Sequence, residues 1–366
     1  MKEKNRRYER QITLWGNENQ SKIESTKLLV IGAGGLGVPV LQYLAAAGIG
    51  VIGIADQDTV ELSNIHRQPL FDTDDTGRGK AQVAAEKIFL LNNKVQTKVY
   101  PFSIDNTNAF EVFEGYDLVI DASDNLPTRY LISDTCYLLN IPLVYGGVAA
   151  HEGQMSVFNF EGGPTYRCLF PEPTSPEFVS DCATTGIMGT VPGTIGMLMA
   201  TEVLKIITGQ GKPLSGKLLI WNAYTSEFST FKFKKEESAI AAIPKSKQEL
   251  KATDYPLFCG ISIAKPIKPE ELASLINEYQ LLDIREKSEL PEAMSGAIRW
   301  PQSEIQLIKN KPELSSKVLV YCQTGNRSDS VRSFLEKQYP DTTFTTLEGG
   351  IKAWQLFQAN QAYGHS

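Results

Sequence analysis

The run Asp56-Gln57-Asp58-Thr59-Val60-Glu61-Leu62-Ser63-Asn64-Ile65-His66-Arg67-Gln68 packs carboxylates, an amide, an imidazole and a guanidinium into thirteen residues. Holding a ribose takes one acid, so the surplus suits a triphosphate and points away from hydride transfer. Lys80 follows in Gly77-Arg78-Gly79-Lys80, and Asp124-Asn125 comes later. Arg67 and Lys80 are suited to neutralising polyphosphate, and the Asp124 carboxylate to holding Mg²⁺. Far downstream, Cys322-Gln323-Thr324-Gly325-Asn326-Arg327-Ser328 places a cysteine before a helix start, with Arg327 close by. Backbone N–H groups and a cation both lower a thiol pKa, and the thiolate is the nucleophile. The same cup suits the terminal sulfur of a persulfide. A structural cysteine would leave Gly325 and Arg327 without a purpose. Cys182, in Ser180-Asp181-Cys182-Ala183-Thr184-Thr185-Gly186, is a second candidate, weighed against a structural thiol near a helix.

The elements that must position these groups are legible in part. Lys27 to Ile31 reads as a buried strand, Gly32-Ala33-Gly34-Gly35-Leu36-Gly37 as a turn, and Leu36 to Ala47 as a helix ended by Gly48. Val51 to Ala55 is the next strand and closes on Asp56. In Gly32-x-Gly34-x-x-Gly37 the turn lets backbone N–H groups approach phosphates, and Asp56 stands at ribose-ligand spacing. Asp117 to Asp121 and Ile141 to Tyr145 are further apolar strands, and a helix runs from Lys80 to about Leu91. Alternating strands and helices predict a Rossmann-like, doubly wound, mainly parallel α/β sheet. Gln154 to Phe160, Lys217 to Trp221 and Phe228 to Phe233 predict an antiparallel extension, and Glu161 to Thr190 reads as loop. From Lys234 to about Thr253 the text turns to Lys, Glu, Ser and Ala, which reads as a flexible linker. A smaller α/β unit follows. Pro269 to Tyr279 and Ser328 to Gln338 are its helices, Leu281 to Arg285 and Val318 to Tyr321 its strands, and Gly349-Gly350 opens a last helix. The predicted division is 1–235, a linker at 236–262, and 263–366.

Composition narrows the class. With 366 residues, 42% hydrophobic and 21% charged, the chain reads as soluble and globular. A net charge of -6 offers no footprint for nucleic acid and argues against an anionic membrane surface. No apolar stretch follows the basic N-terminus, and Ile187 to Ile207 carries Pro192, Glu202 and Lys205, so it reads as a core helix. A cytoplasmic location is expected. The five cysteines do not look like a disulfide framework.

At the residues quoted above, from about Tyr8 to Phe233, the chain resembles the MoeB/ThiF family, relatives of ubiquitin-activating enzymes. The resemblance implies ATP-dependent adenylation of the C-terminal glycine of a small ubiquitin-like sulfur carrier ending in Gly-Gly. Carried over by motif, Gly32, Gly34, Gly35 and Gly37 lie under the phosphates and Asp56 binds ribose. Asn64, Arg67 and Lys80 contact the triphosphate, Asp124 orients Mg²⁺, and Asp58, Ser63 and Asn125 complete the pocket. Arg10, in Tyr8-Glu9-Arg10-Gln11-Ile12, matches a family arginine that reaches into the partner subunit's site, which implies a homodimer. From about Lys265 to Asn360 the chain resembles a rhodanese domain. Asp283-Ile284-Arg285-Glu286 and Glu348-Gly349-Gly350-Ile351-Lys352-Ala353-Trp354 match its other signatures. A related phosphatase loop carries one more residue between cysteine and arginine, so the shorter loop favours sulfur.

Many members of the first family also hold a structural Zn²⁺ on two Cys-x-x-Cys pairs. Here Thr165-Tyr166-Arg167-Cys168 keeps only the second cysteine of a pair and Cys259 stands alone, so no structural zinc is expected. Cys136, Cys168 and Cys259 are then expected to be packing residues. The combined expectation is an adenylyltransferase and sulfurtransferase in which a Cys322 persulfide, by way of Cys182 or directly, converts the carrier adenylate to a thiocarboxylate. A cysteine desulfurase or thiosulfate would be the sulfur donor. Molybdopterin, thiamine, cysteine and thiolated-RNA pathways all use such enzymes. Two other readings stay open. One is an activator that hands its partner on as a thioester. The other is a dinucleotide-dependent oxidoreductase, which accounts for Gly32 to Asp56 but not for Arg67, Lys80 or Asp124.

Overall fold

The computed structural model describes residues 6–173, 186–259, 266–287, 289–305, 311–339 and 341–363. The chain divides into two compact units, Met1–Gly260 and Ile261–Ser366.

In the first unit β1 (Lys27–Ile31), β2 (Val51–Ala55), β3 (Gln96–Tyr100), β4 (Leu118–Asp121) and β5 (Leu143–Ala149) run parallel. Then β6 (Glu152–Phe158), β7 (Lys217–Asn222) and β8 (Glu227–Lys232) add on antiparallel. The order is β3-β2-β1-β4-β5-β6-β7-β8. The chain crosses over between β1 and β4, and a sheet of this kind opens a crevice at the carboxyl ends of its strands there. Apolar Leu28 to Ile31 and the whole of β4 are buried, as continuous apolar runs require in a covered parallel sheet. One face is covered by the helix Gly37–Ala47, ended by left-handed Gly48, and by the helix Thr190–Thr208. The latter is long and apolar enough to cross a bilayer by composition. Its Val191, Ile195, Met199 and Val203 are instead buried in the core with Leu41, Leu44 and Val144.

The stretch expected to be a linker is a correction. It forms the helices Glu237–Ala241, Lys247–Ala252 and Tyr255–Phe258. These dock on the first unit through buried Ala239, Leu250 and Tyr255. The Tyr255 hydroxyl donates to Asp134 at 2.8 Å, and Asn106 donates to the carbonyl oxygens of Lys251 and Thr253. Each helix is at most six residues long, too short to show a period, so the exposed charges hide one apolar anchor per helix. The Glu161 to Thr190 stretch also holds a short helix, Tyr166–Leu169.

The second unit is a four-stranded parallel sheet ordered β10-β9-β11-β12, with β9 (Gln280–Asp283), β10 (Ile298–Arg299), β11 (Lys317–Tyr321) and β12 (Thr343–Thr346). The sequence reading missed β10, which is two residues long, and Thr-rich β12. The helices Pro269–Leu275, Asn326–Gln338 and Gly350–Tyr363 accompany the sheet. Its two faces bury separate apolar clusters, one around Leu282, Val318 and Val320 and the other around Leu281, Leu319 and Trp354.

Candidate active sites

In the first unit the loops after β1, β2 and β4 meet. Gly32 has φ +96°, and a side chain there would lie 2.6 Å from the Ala122 carbonyl oxygen. At Gly37 it would strike the Gly32 carbonyl itself. Only glycine lets the turn close against the loop after β4. Asp56 locks the turn from the other side: its two carboxylate oxygens accept the N–H of Ala33 (2.7 Å) and of Asp58 (2.8 Å). Burial pushes the Asp56 carboxyl up, opposed by the Lys80 charge and those two N–H groups. Amides that open a helix have no partner within it, so Gly34 and Gly35 precede a helix start of the kind that receives anions.

The polar loop forms a 3₁₀ turn, Leu62–Arg67. Asn64 is buried, donating to Glu61 and Ser63 and accepting from buried Gln68 at 3.1 Å. It organises this loop, and the Gln68 side chain lies beside Gly34. Half-buried Arg67 donates to the Ser63 carbonyl at 3.1 Å and meets His66 Nε2 at 3.0 Å, with its own carbonyl near Gly35. Lys80, 6% exposed, ends on Asp58 Oδ2 at 2.9 Å. Asp58 itself is exposed, which leaves that pair open to a stronger anion. Asp124 is exposed after β4, and Asn125 caps the helix Leu126–Leu138 by accepting the Thr128 N–H at 3.0 Å. The residues from Gly32 to Asn125 named from the sequence thus gather on one rim. Arg10 is exposed on the helix Glu9–Ser25. Cys182 lies outside the described residues.

This rim fits a nucleoside triphosphate: helix-start amides, two cations and a ribose-type acid. A solvent-facing carboxylate of the type Mg²⁺ takes stands beside them. The sequence reading passed over Asp121, Ser123, Arg129 and Tyr145, which knit the base of the loop after β4. The signal in the sequence for Arg129 is its spacing, four residues past the capping Asn125 and so on the same side of that helix.

Elsewhere in the first unit, half-buried Cys168 accepts N–H bonds from Thr165 (3.5 Å) and Glu236 (3.4 Å). Burial pushes the thiols of Cys136 and Cys259 up, the latter to about 11.

In the second unit Cys322 follows β11 directly and its side chain is buried. Burial alone would raise its thiol pKa. The N–H groups of Thr324, Ser328 and Gly325 and the Ser328 hydroxyl outweigh burial and hold it below the ordinary cysteine value. The Gly325 N–H lies 3.2 Å from Sγ and the Ser328 hydroxyl oxygen 3.8 Å. Arg327 interacts with Cys322 and is also held by an acid. Its guanidinium closes on Glu289 through two hydrogen bonds of 2.7 and 2.6 Å, and that pairing holds the Glu289 carboxyl down to about 2. The cup of amides and the neighbouring guanidinium both favour the thiolate.

The other two signatures explain the cup. Fully buried Arg285 binds Asp283 with Nε (2.9 Å) and Nη2 (2.7 Å), and its Nη1 reaches Gln323 Oε1 at 3.2 Å. Gly350 presses on the loop: a side chain there would lie 2.6 Å from the Cys322 carbonyl oxygen. The N–H groups of Ile351 and Lys352, opening the Gly350–Tyr363 helix, donate to the carbonyls of Cys322 (2.9 Å) and Gln323 (3.3 Å).

Residues 8–241 match the ThiF family and residues 268–356 the Rhodanese-like domain. The chain is 36% identical to the adenylyltransferase and sulfurtransferase MOCS3 of Caenorhabditis briggsae, over 96% of this chain and 94% of that protein. It is 44% identical to the sulfur carrier protein adenylyltransferase of Thermus thermophilus, over 71% of this chain and 98% of that protein. Among solved structures, E. coli MccB with MccA-N7isoASN superposes with a TM-score of 0.58 at 21% identity, over 66% of this chain and 75% of that one, a likeness of fold. The chain belongs to the ThiF family and carries a rhodanese-like domain after its ThiF domain.

Proposed function

We propose that this enzyme adenylates the C-terminal glycine of a small ubiquitin-like sulfur carrier and then transfers sulfur to it from Cys322. The observation that carries the reading is the pairing, in one chain, of an anion-ready rim with a buried cysteine whose sulfur sits in a cup of backbone N–H groups.

A carboxylate is a poor acyl donor because oxide leaves badly. Adenylation replaces oxide with AMP. The glycine carboxylate is ionised at neutral pH and attacks the α-phosphorus in line, and pyrophosphate departs, so no side-chain base is required. The chain's own work is positioning and charge neutralisation. Asp56 holds the turn and the ribose, Arg67 and Lys80 meet the phosphates, and Asp58 releases Lys80 as the nucleotide arrives. Mg²⁺ held at Asp124 would shield the triphosphate. Arg10 reaches the site of a second copy in a homodimer.

A persulfide on Cys322 then attacks the acyl-adenylate, expelling AMP and leaving an acyl disulfide. Release of the thiocarboxylate consumes one thiol, which is oxidised to a disulfide with Cys322, and Cys182 is the candidate for that thiol. The charge of the cup is supplied beforehand by a desulfurase or thiosulfate. We place the enzyme in the cytoplasm and expect no structural zinc.

ATP–pyrophosphate exchange against a panel of small proteins ending in Gly-Gly tests the reading. Arg67→Ala is expected to cost about 100-fold or more in exchange, the scale of losing one charge-stabilising group. Cys322→Ala should keep exchange and abolish thiocarboxylate formation, followed by mass spectrometry of the carrier. Full exchange in Asp124→Ala would overturn the assignment of the rim.

A further inference from the structure

We propose that Asp121, Ser123 and Arg129 form a positioning clamp that fixes the Asp124 carboxylate against the glycine-rich turn. The inference rests on the adenylation reading. Ser123 is seized at every polar atom it has. Its N–H and its hydroxyl both donate to Asp121 Oδ1, at 2.9 and 2.6 Å, and its carbonyl accepts from Arg129 Nη2 at 3.1 Å. The peptide leading into Asp124 is therefore held on both sides. Arg129 is in turn fixed by the Tyr145 hydroxyl at 3.1 Å, which also accepts from Gln154 at 2.8 Å. The clamp reaches the turn as well, because the Ala122 carbonyl beside Ser123 is the group that abuts Gly32.

The arrangement is poorly explained as a stabiliser. Asp121 Oδ2 and Arg129 Nε are buried without a hydrogen-bond partner among the described residues, although the Arg129 charge acts on Asp121. Asp121 is 1% exposed, and burying a charged pair is costly. Well-packed apolar residues would hold the same strand end at least as firmly. What apolar residues would not do is dictate the direction of one peptide. Asp121, Ser123 and Arg129 are positioning residues: they touch no substrate and act through Asp124.

The readout is ATP affinity of the full-length chain by calorimetry, with and without Mg²⁺. A clamped Asp124 makes affinity depend on Mg²⁺, whereas a wandering one loses that dependence. In Ser123→Ala the gain in affinity on adding Mg²⁺ is expected to shrink at least fivefold, and in Asp121→Asn further. Ser123→Thr, which keeps the hydroxyl, should recover most of it. An undiminished Mg²⁺ gain in folded Ser123→Ala, judged by its melting curve, overturns the clamp. Should Asp121→Asn fail to fold, Ser123→Ala, which removes a single hydroxyl, decides alone. No ATP binding by the wild-type chain would sink the adenylation reading, and the clamp with it. Normal Mg²⁺-dependent binding by the wild type with unaffected variants would sink the clamp only.

Discussion

A thiol in this protein is tuned by where its sulfur points. Burial pushes the thiols of Cys136 and Cys259 up, with no backbone donors to oppose it among the causes that act on them. Cys322 is as deeply buried yet is held down, because backbone donors aim at its sulfur. The sign of the consequence is fixed: a lowered pKa means more thiolate at neutral pH, and removing a donor moves titration upward. Ser328→Ala is expected to shift the pH profile of Cys322 alkylation by iodoacetamide to higher pH, with the secondary structure unchanged by circular dichroism. A profile that stays in place would show that the hydroxyl carries none of the effect. Glu289 works the other way. Its lowered carboxyl gives stability that is complete above its ordinary value of 4.5 and fades as pH falls towards about 2. The ion pair with Arg327 thus persists through any pH at which the thiol is active.

Short elements decide how much of this architecture was legible. The glycine turn, the strands that end in acid and the Cys-to-Arg loop stood out because each is a local pattern. The docked helices between 237 and 259 did not, since what holds them lies elsewhere in the chain. Buried Arg167 pairs with Asp134 at 2.7 Å, and Tyr255 adds its hydroxyl to the same carboxylate. Arg167 also lies over the Phe258 ring at 4.6 Å. No window of the sequence contains Asp134, Arg167 and Tyr255 together, so composition read the segment as solvated. The same holds for Glu289, which meets Arg327 across 38 residues. Tyr255→Phe removes one hydrogen bond to a buried charge and is expected to cost about 1.5–3 kcal/mol in urea unfolding of the first unit. A loss below about 0.5 kcal/mol would mean that the segment is held by its apolar anchors alone.

Over the whole molecule, each unit closes its own apolar core, and the chain divides between them at about residue 260. Calorimetry is therefore expected to show two transitions. Leu319→Ala, which empties a fully buried site of the second unit, should lower one of them by a destabilisation of about 2–5 kcal/mol and leave the other in place. A single transition moved as a whole would show that the units unfold as one. Modular cores suit a two-step chemistry, because each site keeps its geometry while the other turns over.

The burial of Cys322 carries one further consequence. An empty cup buries its sulfur, so a compact electrophile such as iodoacetamide reaches it more readily than a bulky one. Loading adds a sulfur beyond the one the cup encloses, and the outermost atom becomes the reactive one. The enzyme thereby carries its reactive sulfur one atom farther from the cup when it has cargo to deliver.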